Sequence, residues 1–452
     1  MDLKQKVLDR ILPEERERQE SQQMFEKIRE FIAEEYGLEA GLMGSLAKDT
    51  FLSGDKDLDI FVFFPESTGR EELEEKGLEI GKKVFEHFEG NYEVEYAEHP
   101  YTKGEIDEFE VEIIPAYRVD GPEDLKSSVD RTPMHTEWVN ENLSEEEKKE
   151  VTILKAFLKG TGLYGSSLRV KGFAGYLCEI LIGEYGDFLT LLENAQDWKE
   201  EEIIDVEDHH EELPERLEKK FKEDSLVVID PTDPERNVAS VLSRENYSKF
   251  VFKSWKFLQD YTIDYFFPEE TEPDPVRIKE EIRSRGDMYE IVFETPKLTD
   301  DILYPQVRRL MRRVRAVLVK NEFQLFDSGH FIGDEKTRLV FDLQLSELPE
   351  KRKHYGPKVF HNSDNIENFM SKYPNTWVDG TRVTTIVDRE YMEAEQLLED
   401  FFSGEMQKKG VPSNLVEPLK DRKIREVRVS GPENWQRYLQ EFLHVRRVKD
   451  ED

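Results

Sequence analysis

The octapeptide Asp57-Leu-Asp-Ile-Phe-Val-Phe-Phe64 constrains this chain more than any other stretch. Its apolar run has the length and bulk of a buried strand, and the period of two sets the carboxylates of Asp57 and Asp59 on one face. Two acids at the head of such a strand cost desolvation unless a cation or hydrogen-bond donors meet them. Gly44-Ser45 lies just upstream, after an apolar run and before a helix-compatible segment. Backbone N–H groups and a hydroxyl there can receive an anionic phosphate. Each piece alone has a plain reading, since Gly-Ser is common loop punctuation. Together they place a phosphate cradle beside two hard oxygen ligands. That combination suits Mg²⁺ and a nucleoside triphosphate, because Mg²⁺ is usually held by one or two carboxylates plus substrate phosphates.

A third acid can come from a neighbouring strand. Phe109-Glu-Val-Glu-Ile-Ile114 alternates, with Val111 and Ile113 facing one way and Glu110 and Glu112 the other. Glu112 is the favoured partner, Glu110 the other acid on that face. Further on, Thr132 as N-cap and Pro133 as first helical residue put His135 in an opening turn, where its plain reading is a polar surface histidine. Ser144 and Glu147 spell a capping box for a helix running to about residue 159, with Val151, Leu154, Phe157 and Leu158 inward and Lys155 at its edge. Lys155 is solvated by default, and near a triphosphate it becomes a phosphate partner, as does the Tyr164 hydroxyl. Residues 197–223 read as charged loop. The segment 227–239 reads as a strand ending in a proline-rich turn, with Arg236 and Asn237 just before a helix start, a place for base or phosphate contacts.

Glu269-Glu-Thr-Glu-Pro-Asp-Pro275 reads as a linker. Beyond it, strands at 288–294, 322–332 and 338–345 and a helix at 301–320 give a β-α-β-β order like a ferredoxin or RNA-recognition fold. The helix carries Arg308, Arg309, Arg312, Arg313, Arg315 and Lys320. Two more basic clusters follow, Lys351-Arg-Lys-His-Tyr355 and Lys420, Arg422, Lys423, Arg425 and Arg428. Together they suggest a surface that tracks phosphates, the alternative being salt-bridged surface faces. The expected organisation is α+β and multidomain, with domains at 1–143, 144–268 and 276–452.

Composition narrows the partners. One hundred acidic residues against 64 basic ones give a formal charge of −36, which excludes a generic nucleic-acid coat protein because the summed field repels phosphate. Any nucleic-acid contact must be local. Such acidity also suggests a salty cytoplasm, where surface charge maintains solubility. The single cysteine, Cys178, cannot form an intrachain disulfide and suits a reducing compartment. The N-terminal stretch has no apolar signal core, and no run approaches the ~18 residues of a membrane span, so a soluble, cytoplasmic protein with no membrane partner is expected. Oligomeric state is left open, a homodimer included.

Gly44-Ser45, Asp57-Leu-Asp59 and an acid on a later strand resemble the nucleotidyltransferase superfamily that includes DNA polymerase β. Five further motifs, 129–135, 154–159, 163–165, 172–179 and 230–239, resemble the archaeal, class I CCA-adding tRNA nucleotidyltransferases. The likeness covers about 40 to 240 by motif, and the remainder by domain order. It implies a polymerase β-like catalytic sheet, a helical central domain and a C-terminal tRNA-binding domain. It also implies addition of C, C and A to tRNA 3′ ends from CTP and ATP with Mg²⁺ and no nucleic-acid template. By that resemblance Gly44, Ser45 and Lys48 would touch the triphosphate, and Asp57, Asp59 and Glu112 would hold the metals. His135, Lys155 and Tyr164 would line the nucleotide, and Arg236 would read the base edge. Arg308, Arg309, Arg312, Arg313, Lys351 and Arg352 would contact tRNA. Two positions depart from the family pattern: Lys48 stands where arginine is familiar, and Glu112 where aspartate is usual. The rival readings are another RNA-tailing nucleotidyltransferase, such as a poly(A) polymerase, and a catalytically silent RNA-binding protein.

Overall fold

Two helices, α1 (Leu3–Ile11) and α2 (Glu15–Tyr36), lead into the first sheet. α2 starts at a capping box between Glu14 and Glu17, and it stops at Gly37, whose φ of +64° is a left-handed conformation that glycine adopts at little cost. The computed structural model describes residues 3–96, 98–119, 121–269, 272–360 and 363–445. It falls into two units, Met1–Glu269 and Glu270–Asp452, divided inside the expected linker.

In the first unit α2 is followed by β1 (Glu39–Met43), the single turn α3 (Gly44–Ala47), β2 (Asp57–Phe64), α4 (Arg70–His87), β3 (Asn91–Tyr96), β4 (Pro100–Ile106) and β5 (Phe109–Tyr117). The strands form one sheet in the order β1-β2-β5-β4-β3, with β2 and β5 parallel and the other neighbours antiparallel. Alternation decides its two faces. Leu58, Ile60, Val62 and Phe64 pack with Val111 and Ile113 against Ile28 and Ile32 of α2 and Val84 and Phe85 of α4. The acids at 57, 59, 110 and 112 are left on the opposite face.

A second core in this unit is helical. It is built on α5 (Thr132–Asn142), α6 (Glu145–Gly160), α7 (Gly175–Tyr185), α8 (Phe188–Ala195) and α10 (Arg244–Asp260). The Ser144–Glu147 capping box forms as expected, and Val151, Leu154, Phe157 and Leu158 are buried. The segment expected as charged loop instead holds β6 (Glu202–Ile204) and α9 (Glu215–Phe221). Leu217 and Phe221 of α9 reach Val227 and Ile229, enough apolar contact to order it. β6 joins β7 (Leu226–Asp230) and β8 (Asp233–Asn237) in a small sheet, so Arg236 lies on a strand rather than directly ahead of a helix.

The second unit runs α11 (Pro275–Arg285), β9 (Asp287–Glu294), α12 (Asp300–Lys320), β10 (Leu325–Ile332) and β11 (Lys336–Leu343), then β12 (Lys351–Lys358), α13 (Ser363–Lys372), β13 (Thr376–Asp379) and β14 (Arg382–Asp388), and last α14 (Ala394–Phe401), α15 (Ser413–Val416), β15 (Lys423–Glu426) and α16 (Glu433–Phe442). Its main sheet is antiparallel, ordered β10-β11-β9-β15. With α12 and α14 this is the split β-α-β of a ferredoxin-like fold. The expected β-α-β-β order is thus present. Between β11 and α14 the chain inserts a separate sheet, β12-β14-β13, with α13 against it. No helix among the described residues is long and apolar enough to cross a membrane.

Candidate active site

Parallel pairing of β2 with β5 sets Asp57 opposite Glu110 and Asp59 opposite Glu112. The hydrogen-bond ladder therefore brings the candidate acids together without help from loops. Burial, then the charges of Glu112 and Asp57, lifts the Asp59 carboxyl from its ordinary 3.8 to about 7. Burial likewise raises Asp57, with Glu110 adding repulsion, and burial raises Glu112. Four acids crowd one edge, and one cation partly answers them. Lys103, on β4 opposite Glu112, donates to Glu112 Oε1 at 2.9 Å and also pairs with Glu110. Burial opposes the lysine's charge, but its bonds to the two glutamates hold its pKa above the ordinary lysine value. Among the described residues no group of three or more His, Cys, Asp or Glu is gathered into a finished metal cage.

Gly44 packs on the same carboxylate. Its φ is +69°, and a Cβ there would stand 1.8 Å from Asp59 Oδ2, so only glycine allows this approach. The α3 helix it opens has four residues, too short for a macrodipole of consequence. The cradle rests on local N–H groups and the Ser45 hydroxyl instead.

Lys155 sits differently from its default reading. Lys155 is not solvated at the edge of α6 but 2% exposed, and Lys48 is 5% exposed. Both ammonium groups surround the buried Glu179 of α7: Lys48 Nζ donates to Oε2 at 2.8 Å and Lys155 Nζ to Oε1 at 3.4 Å. Thr50 ties the group together, its hydroxyl donating to Glu179 at 2.7 Å and accepting from Lys155 at 2.9 Å. Burial pulls the Lys155 pKa down, and it resists the charge of Glu179, but the lysines hold that carboxyl below its usual range. Tyr164 comes close, its hydroxyl and Lys155 Nζ lying 3.3 and 3.7 Å from the position a Cβ would take on Gly175.

His135 is also buried, not a surface residue, because Asp230 is waiting for it. Its Nε2 lies 3.1 Å from Asp230 Oδ2, and its ring stacks on Tyr176 at 3.9 Å between centroids. Arg236 Nη1 donates to the same Oδ2 at 2.7 Å. Burial lowers the pKa of His135, favouring the neutral ring. Lys48 Nζ stands 5.0 Å from the centre of the Tyr176 ring, and the Tyr176 hydroxyl donates to Asp230 Oδ1 at 3.2 Å.

In the second unit α12 buries Leu303, Val307, Leu310, Met311, Val314 and Leu318. Arg309, Arg312, Arg313 and Arg315 are left exposed, while Arg308 is half-buried. Arg313 Nε donates to the Lys409 carbonyl at 2.7 Å. The other two clusters are largely paired with acids: Lys351 with Asp388, Arg352 with Glu322 at 3.6 Å, and Arg422 and Arg425 with Glu399 and Glu290, each at 2.7 Å.

Sequence reading gave no role to Glu179, Asp230, Tyr176 or Lys103. Two of them had a signal: an acid inside the apolar run Tyr176-Leu-Cys-Glu-Ile-Leu and one closing Leu226-Val-Val-Ile-Asp must each meet a buried partner.

Comparison with known proteins bears on these residues. Residues 25–135 match the nucleotidyltransferase domain, 149–267 the second domain of tRNA nucleotidyltransferases, and 285–425 the C-terminal domain of CCA-adding enzymes. The CCA-adding enzyme of Methanocaldococcus jannaschii is 37% identical over 436 residues, spanning 94% of this chain and 95% of that one. This chain belongs to the archaeal CCA-adding enzyme family. The enzymes of Methanothermobacter thermautotrophicus and Archaeoglobus fulgidus are 41% and 36% identical, each over 81% of its own length and over 82% and 81% of this chain. Among solved structures, a Cid1 poly(U) polymerase aligns over 57% of this chain and 94% of its own, at 13% identity and a TM-score of 0.47. This member of the CCA-adding family is therefore a nucleotidyltransferase of α+β, multidomain build that acts on tRNA 3′ ends without a template.

Proposed function

We propose that Asp57, Asp59 and Glu112 hold Mg²⁺ and that CTP and ATP are joined to the tRNA 3′-hydroxyl beside them. The observation that carries this is the parallel register that sets Asp59 against Glu112, with Gly44 pressed on Asp59. The donor set fits: hard carboxylate oxygens whose proton affinity is raised by burial and mutual repulsion gain most from a divalent cation. When bound, the metal supplies charge neutralisation at the transferring phosphate and acidifies the attacking hydroxyl.

The chain's own groups do the positioning. Attack by the 3′-hydroxyl on the α-phosphate releases pyrophosphate, and Glu112, held half-buried with raised proton affinity, is suited to take the hydroxyl proton. N–H groups at Gly44 and Ser45 receive the triphosphate. Lys48 and Lys155 act from within their buried cluster, where a nearby anion favours the charged form of Lys155. Tyr164 lines the same region, while His135 and Arg236 face the base. The stripe on α12, more than the paired Lys351 and Arg352, is suited to tRNA phosphates. The working parts are 1–143 catalytic, 144–268 central and 276–452 tRNA-binding; the core of the second unit stands by itself, and the helical core of the central part draws in Val7, Leu8, Trp138 and Val139 from the first. Buried Cys178 suits a reducing cytoplasm.

The test incubates the protein with tRNA lacking CCA and each labelled nucleotide in turn. CTP followed by ATP is the expected order. Asp57→Ala or Asp59→Ala should abolish addition while tRNA binding stays near normal, and near-normal turnover in both would remove the metal assignment.

A further inference from the structure

Asp230 closes β7 with its carboxylate wholly enclosed, at 0% exposure. Five donors meet it, and they divide by oxygen. Oδ1 accepts from the Thr232 N–H and hydroxyl, both at 2.9 Å, and from the Tyr176 hydroxyl at 3.2 Å. These bonds fasten Asp230 into its own turn. Oδ2 accepts from Arg236 Nη1 at 2.7 Å and from His135 Nε2 at 3.1 Å. A neutral histidine that gives its Nε2 proton to a carboxylate keeps Nδ1 as an acceptor. One oxygen thus orients a fork of donors and selects the histidine tautomer whose Nδ1 is an acceptor.

We propose that Asp230 is the positioning residue for nucleotide choice, fixing through Oδ2 a donor on Arg236 and an acceptor on His135 as one recognition pair. The proposal rests on the reading of Arg236 and His135 as the groups that face the base. Cytosine and adenine share one feature, a ring-nitrogen acceptor next to an exocyclic amine donor. Uracil and guanine carry the reverse, a ring N–H next to a carbonyl. A donor-acceptor pair locked in one orientation matches the first two bases. Against the other two it leaves buried polar groups unpaired, which is the costly kind of mismatch. Had Asp230 been absent, the imidazole could present either nitrogen protonated and the guanidinium could swing, and the pair would carry no fixed pattern. Tyr176 extends the arrangement, since it holds Oδ1, stacks on His135 and stands beside Lys48.

The experiment measures kcat/KM for CTP, ATP, UTP and GTP on tRNA transcripts, together with the melting temperature, for the full chain and four variants. Asp230→Asn should relax discrimination of CTP over UTP and of ATP over GTP by on the order of 10- to 100-fold, the loss expected for one charge-assisted hydrogen bond. Thr232→Val, which removes a donor from Oδ1 and none from Oδ2, should leave discrimination within about twofold, as its loss touches only the anchoring side. His135→Leu keeps bulk against Tyr176 without adding a buried charge, and it should relax discrimination like Asp230→Asn even if the latter folds poorly. A folded Asp230→Asn that discriminates as before overturns the proposal, as does a Thr232→Val that relaxes choice equally, or a folded His135→Leu that does not relax it. Arg236→Ala separates the levels. If it relaxes choice while Asp230→Asn does not, only the positioning role falls; if it too leaves choice intact, the base-edge reading itself is wrong.

Discussion

Replacing Asp59 with asparagine should make the metal-free protein harder to melt while removing its activity. Burial, followed by the charges of Glu112 and Asp57, raises this carboxyl from 3.8 to about 7 in the folded protein. In the unfolded chain it returns to its ordinary value. Between about pH 4 and pH 7 the folded state therefore binds more protons than the unfolded one, and stability falls as pH rises through that window. At about 1.4 kcal/mol per unit, the shift sets a ceiling of about 4 kcal/mol on the cost of ionised Asp59 at pH 8, and with relaxation and water entry about 2 kcal/mol is expected. Asparagine has the same shape and no charge. For a unit of this size, about 2 to 4 °C per kcal/mol gives a melting transition roughly 4 to 8 °C higher. The assay is thermal unfolding followed by circular dichroism in EDTA, at pH 8 and again at pH 4, where the difference should vanish. A variant that melts no higher than the native chain at pH 8, or whose gain persists undiminished at pH 4, refutes the reasoning.

Glu179→Leu should destabilise the first unit by about 3 to 5 kcal/mol, because two enclosed ammonium groups lose their carboxylate, and adding Lys155→Met should restore part of the loss. A urea midpoint that barely moves would show the cluster to be solvated. Since the folded pKa of Glu179 lies below its ordinary value, its contribution is full above about pH 4.5 and lost as pH falls through the folded value. Glu112→Asp draws the acid back from Asp59 and should slow addition by about tenfold while raising the Mg²⁺ requirement. An unchanged rate, with a large loss in Glu110→Ala, would move the role to Glu110. Arg309→Glu with Arg312→Glu should weaken tRNA binding and flatten its salt dependence by roughly 0.9 for each phosphate no longer neutralised, whereas Lys351→Glu, at a residue already paired with Asp388, should do little.

The acid-bearing strand, the capped α6 helix and the β-α-β-β order were legible because each is a local pattern of a few residues at a fixed period. The pairings were not. Lys48 meets a glutamate 131 positions later, and His135 an aspartate 95 later, and no local pattern at either position signals so distant a partner. The small elements β6 and α9 escaped because two or three apolar residues among many charges leave no period to read. Three basic clusters looked alike in sequence. Only the fold shows that carboxylates answer most of two of them, Glu322, Asp379 and Asp388 in one and Glu290, Glu399 and Glu417 in the other, while Arg309, Arg312 and Arg315 of α12 are exposed.

The parallel ladder between β2 and β5 has one more consequence, for what mutation can do to this protein. The spacing of the acids is set by main-chain pairing and owes little to any particular neighbour. Exchange of one aliphatic side chain for another on the packed face can accumulate over generations without shifting the acids. A one-residue insertion or deletion within either strand behaves differently, since it turns every following side chain to the opposite face. Where the slip precedes the acids it would turn the carboxylates onto Ile28, Ile32, Val84 and Phe85 of the covering helices and expose the apolar side chains that alternate with them. The site is thus tolerant of drift and brittle to frameshift-like slips, so a library of insertions and deletions across 57–64 and 109–117 should be empty of active clones where a library of aliphatic swaps is not.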